Sequence, residues 1–167
     1  LKWLRFIFAR KGIFDGREIT LAVRTAWTGY RKKEKQMPPK WNYFTLQEVE
    51  GLNDEYVAKL DLARGRTIEL DPQKNGVPFI ITSGFRSPEK NQSVIGAVPE
   101  SAHTKGLATD LKVDSSFQVA LVVEALLSVG INRIGIYVNK EWQPVHIHND
   151  MDPDKPPHVI FIRQEQN

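Results

Sequence analysis

All four histidines of this 167-residue chain, His103, His146, His148 and His158, lie in its last 65 residues, and the chain has no cysteine. Thiolate ligands, zinc ribbons, disulfides and cysteine nucleophiles are therefore excluded together, and any metal site must be built from imidazole and carboxylate. His103 sits in the small, polar stretch SAHTKGLATD, seven residues before Asp110. Gly106 permits a turn between them, so a loop histidine and a strand-edge carboxylate can converge. His146 and His148 are two apart in an alternating run, VHIH, and leave a strand on the same face. One or both can point at the same site. Two imidazoles and a carboxylate form a donor set suited to zinc, and three protein ligands leave one position open for water, as a catalytic zinc requires. Spacing alone favours structural or surface histidines over a metal site. The helical HExxH signature, the phosphate-binding loop and the dinucleotide-binding glycine pattern are absent.

These side chains need elements to hold them. VPFIIT, 77–82, reads as a buried strand stopped by Ser83–Gly84, and DPQKNG before it as a turn. The stretch 84–101 reads as an ordered loop. Leu111 and Val113 mark a short strand. Ser115 and Ser116 cap a helix over 117–129 that Gly130 ends. Ile134, Ile136 and Val138 alternate as a strand, Val145 and Ile147 alternate against the histidines, and 159–162 is a final strand beyond a proline-rich turn. Upstream, Thr45 and Glu48 have the spacing of a capping box, and Tyr56, Leu60 and Ala63 continue a helical stripe interrupted by Gly51. Strands and helices mix without a repeating unit, so the expected class is α+β, a small central antiparallel sheet with flanking helices.

The formal net charge of +3 hides an asymmetry. Residues 1–40 carry eleven Lys/Arg against three Asp/Glu, whereas the remainder carries twelve against seventeen. A nucleic-acid-binding domain would not be acidic over three quarters of its length. The basic region, 1–40, reads as a mainly helical N-terminal extension closed by the MPPK linker, with 41–167 as the domain that carries all four histidines. Its basic face suits solvent, or alternatively an anionic polymer or membrane surface. No run approaches the roughly 18 apolar residues of a membrane span. No signal peptide is legible, because Arg5 and Arg10 break the opening apolar run.

Ser101, His103, Gly106, Ala108 and Asp110 satisfy SxHxxGxAxD, which resembles the central motif of the M15 family of zinc D,D-carboxypeptidases and peptidoglycan L,D-peptidases. The preceding ITSGFRSPEKN, 81–91, is similar to that family's SGYR element. Ile134 to Tyr137 and the histidine strand resemble its closing elements, and a His-x-Asp followed by a DPxKP turn is matched by His148, Asp150 and 152–156. The likeness spans about 44–162 and extends to hedgehog-type zinc folds, which share a His-Ile-His.

The resemblance implies Zn2+ held by His103, Asp110 and His148, with a register using His146 as third ligand left open. It assigns Arg86 to a substrate carboxylate, Ser101 to loop ordering or substrate contact, and Asp150 to orienting an imidazole. Many members place an acid three residues before the last histidine; here that residue is Val145. His146 is the preferred proton carrier and Glu141 the runner-up. The implied activity is zinc-dependent hydrolysis of peptidoglycan stem peptides at the bacterial wall or periplasm, by a bacterial or phage-encoded enzyme without a nucleic-acid partner; the oligomeric state is left open, with a monomer plausible. The missing acid motivates a second reading, an inactive zinc-bearing wall-binding or virion module.

Overall fold

Asn53 begins the first long helix because its side chain accepts hydrogen bonds from the Glu55 and Tyr56 N–H groups, which have no partner within the helix. A computed structural model describes residues 41–165. The basic extension expected over 1–40 falls outside the described residues. Helix α1, Asp54–Leu70, carries Asp54 and Glu55 in its first turn and buries Tyr56, Val57, Leu60, Ala63 and Thr67 along one stripe. The expected capping box forms: Thr45 N donates to Glu48 Oε2 at 2.8 Å, and Glu48 N donates to Thr45 Oγ1 at 3.3 Å. It closes only a turn, because Gly51 adopts φ +75° before α1 begins.

After α1, Asp71 organises the DPQKNG turn by accepting from the backbone of Gln73, Asn75 and Gly76 at 2.9 Å each. Strand β1 covers only Ile81–Ser83 rather than 77–82. Pro78 has no N–H for a ladder, and the Val77 N–H is taken by Thr67 Oγ1 at 2.9 Å, so the buried Val77 and Phe79 enter the core without pairing. The expected loop over 84–101 contains a short helix, α2, Pro88–Gln92, capped by Ser87 with proline in its first turn. A 3-10 turn, Ala102–Lys105, then leads into β2, Ala108–Lys112. Helix α3, Ser116–Ser128, capped by Ser115, is followed by β3 (Arg133–Val138), β4 (Pro144–Asp150) and β5 (Val159–Gln164).

The sheet order is β1-β2-β4-β3-β5. It is mixed, which corrects the antiparallel expectation: β5 pairs with β3 in parallel. The cause is local. Both edges of β4 are occupied, by β2 and β3, so the chain leaving β4 cannot fold back on it as a hairpin. The proline-rich segment 151–158 instead crosses the end of β3 and lays β5 on its far side.

The period-two pleat divides the sheet. Leu111, Ile134 and Ile147 point into the apolar core built with Tyr56, Leu60, Leu121, Val122 and Leu126 from α1 and α3. The opposite face carries rows set by strand register. One row holds Asp110, His148, Gly135 and Phe161; the next holds Lys112, His146, Tyr137 and Arg163. Tyr56 pins α1 to the strands that bear the ligand candidates. Its fully buried hydroxyl lies 2.8 Å from Thr109 Oγ1 and 2.7 Å from Asn149 Oδ1. Tyr56→Phe leaves these buried groups without that partner. The expected loss is about 2 kcal/mol of unfolding free energy in denaturant titrations, with no change in fold.

Candidate metal centre

The sequence around His103 folds tightly because Ser101 caps the 3-10 turn and Gly106 ends it in the left-handed region, φ +69°. Further bonds hold the His103 backbone: Ser101 Oγ accepts from the His103 N–H at 3.4 Å, and the His103 carbonyl accepts from the Gly106 and Arg86 N–H groups at 3.2 Å each. The His103 ring is buried, with Nδ1 2.8 Å from the Gly84 carbonyl oxygen. A carbonyl can only accept, so Nδ1 carries the proton and Nε2 presents a lone pair to the sheet face.

His148 reaches the same point from β4 with the opposite nitrogen. Its Nε2 lies 3.0 Å from Asp150 Oδ2, while Nδ1 faces His103 Nε2 at 3.3 Å and Asp110 Oδ1 at 3.0 Å. Asp110 Oδ1 is 3.4 Å from His103 Nε2. Among the described residues, His103, Asp110 and His148 form the group able to hold a metal ion. Tetrahedral coordination with ligand bonds near 2.0–2.1 Å places ligand atoms about 3.3 Å apart, close to all three separations. The donors therefore fit a zinc ion, and the cluster takes His148 rather than His146.

The electrostatics agree with a cation site. Burial opposes ionisation of Asp110, but the hydrogen bonds and charges of His103 and His148 outweigh it and hold the carboxyl far below the usual range. Burial likewise opposes charge on His148, yet hydrogen bonds to Asp110 and Asp150 raise its pKa above an ordinary imidazole's. Positive charge between these donors is favoured, and a metal must compete with a proton for it.

The other candidates take distinct places. Arg86 is nearly buried and is already engaged: Nε donates to Ser83 Oγ at 2.7 Å and Nη2 to Asp110 Oδ2 at 2.8 Å. It therefore fixes the outer oxygen of a ligand carboxylate, a role that spacing does not suggest. His146 stands on the same face as His148, one row along the sheet, with Nδ1 2.9 Å from Glu165 Oε1 and its ring stacked on Tyr137 at 4.4 Å. Glu141 lies exposed in the β3–β4 turn, its N–H donating to Asn139 Oδ1. Pro144 lies four residue steps from His148 along β4, so that turn is about 13 Å along the sheet from the cluster. The structure does not bring Glu141 to the site. His158 is exposed at the start of β5 and also stands apart.

Sequence reasoning misses Phe161 and Glu165. A Cβ on Gly135 would come within 2.4 Å of the Phe161 ring, so the glycine opposite His148 makes room for an aromatic wall beside the cluster. Its signal is the glycine within the alternating β3 run. Glu165 has no signal, because it joins His146 only through the parallel placement of β5. Among the described residues, no helix is long and apolar enough to cross a membrane. A family model described as Peptidase M15 matches residues 43–148, taking in Arg86 and all three cluster residues and stopping short of Asp150 and β5. No curated protein and no solved structure matches the chain.

Proposed function

The chain belongs to the peptidase M15 family, and from that membership we propose that it is a zinc metallopeptidase hydrolysing stem peptides of bacterial peptidoglycan, as a D,D-carboxypeptidase or L,D-endopeptidase. The observation that carries this reading is the convergence of His103, Asp110 and His148 on the sheet face opposite the helical core. Bound there, zinc supplies Lewis-acid polarisation of the scissile carbonyl and a water of lowered pKa.

The chain's own groups supply the rest. His103 and His148 are oriented in advance by Gly84 and Asp150, so His103 Nε2 and His148 Nδ1 already face the metal position. His146 is the proton carrier in this scheme. Glu165 engages its Nδ1 and leaves Nε2 to accept a proton and return it to the leaving amine. Arg86 keeps Nη1 for a substrate carboxylate while Ser83 holds its Nε and its Nη2 steadies Asp110. The enzyme acts at the bacterial cell wall, where such peptides occur.

Incubation of the metal-analysed chain with purified peptidoglycan, with and without chelator, tests this by mass spectrometry of released peptides. Stoichiometric zinc and chelator-sensitive release are expected. Zinc without release would favour a wall-binding module, and absence of zinc would overturn the site. His146→Ala should lower turnover by roughly 10²–10⁴-fold while the zinc content stays unchanged. Unchanged turnover would remove His146 from the mechanism.

A further inference from the structure

Asp150 ends β4 with its carboxylate almost wholly buried, at 1% exposure. Oδ2 accepts from His148 Nε2 at 3.0 Å and from Arg133 Nε at 3.1 Å, and Oδ1 accepts from the Asp152 N–H at 3.2 Å. The last torsion of an aspartate is broad unless its oxygens are engaged, and here both are held. Arg133 opens β3 directly opposite Asp150 in the ladder, so the two side chains rise from the same face. Its Nη1 continues to the Pro156 carbonyl at 3.2 Å. A buried carboxylate needs a compensating charge, and Arg133 is the Lys or Arg paired with Asp150 among the described residues.

We propose that Arg133 is a positioning residue of the metal centre, acting on His148 through Asp150. By fixing the direction of the Asp150 carboxylate, it holds the His148 ring with Nε2 on Asp150 and Nδ1 turned toward His103 and Asp110. The planar fork of arginine reaches Asp150 through Nε and the Pro156 carbonyl through Nη1, two fixed donors where a lysine brings a single nitrogen. The proline-rich crossing is thereby part of the support of the site. This inference rests on the reading of His148 as a metal ligand.

Zinc affinity, measured on the full chain by competition with a chromogenic chelator, tests it. Arg133→Met should weaken zinc binding by roughly 10–100-fold, the usual cost of losing a group that orients a ligand. Asp150→Asn should do the same, and the double variant should be no weaker than Asp150→Asn alone. Arg133→Lys should fall between wild type and Arg133→Met. Affinity of Arg133→Met within twofold of wild type, or losses that add in the double variant, would overturn the proposal. His148→Ala tests the underlying reading separately, because retention of wild-type zinc affinity there would remove His148 as a ligand whatever Arg133 does.

Discussion

Asp110→Asn should abolish peptidoglycan hydrolysis and weaken zinc binding by more than the ~100-fold that loss of an orienting partner costs. The substitution keeps the shape of the side chain and removes the anionic donor. It also leaves Arg86 Nη2, 2.8 Å away, facing a neutral amide. The zinc-free protein should lose about 2 kcal/mol at neutral pH, in the range for hydrogen bonds to a charged group. The pH dependence has a definite sign. The Asp110 pKa is depressed in the folded protein, so its contribution is complete above the ordinary carboxylate value of about 3.9. It then fades as pH falls toward the depressed value. Unfolding curves of wild type and variant should therefore differ most at neutral pH and converge in strong acid. Zinc affinity by competition titration and activity on purified peptidoglycan complete the measurement. A variant that retained either at wild-type level would remove Asp110 from the centre.

Gly106→Ala should cost about 3 kcal/mol, because two effects coincide. The residue adopts φ +69°, where an alanine is strained, and the added Cβ would lie 2.5 Å from the Gly51 carbonyl oxygen. That contact is with backbone and cannot be relieved by a side-chain rotation. The Asn53 N–H also donates to the Gly106 carbonyl at 2.9 Å, so the start of α1 is tied to the same point. Relief must come from the 3-10 turn that carries His103. A fall in melting temperature of roughly 10 °C is expected for a domain of this size, together with weaker zinc binding. Loss of stability with zinc affinity intact would show that the turn yields elsewhere.

Much of the fold and the centre is legible in the sequence, for identifiable reasons. The helix over 117–129 is marked by a serine cap and a terminal glycine, and the structure moves it by one residue at each end. His103, Asp110 and His148 are readable because the pleat and one loop turn suffice to aim them. What local sequence does not carry is the pairing of distant segments. The brevity of β1 follows from Pro78 and from a hydroxyl ten residues upstream. The parallel pairing of β5 follows from which edges of β4 are already filled, a property of the whole sheet. Glu141 is a candidate only while strand rise is ignored, since nearness in sequence to His148 is not nearness along the sheet. Arg86 is identifiable by type, but its bond to Asp110 joins residues 24 apart and has no local signature.

The alternation of β4 also dictates which changes in chain length the protein can survive. His146, His148 and Asp150 share one face, while Ile147 and Asn149 share the other. A single residue inserted or deleted within Pro144–Asp150 would exchange those faces beyond the change, sending imidazoles into the apolar core and isoleucine toward the ligands. The β3–β4 turn is free of that parity and can absorb residues without disturbing the strands on either side. Length variation among functional descendants of this chain should therefore accumulate at 139–143 and spare the strand that follows.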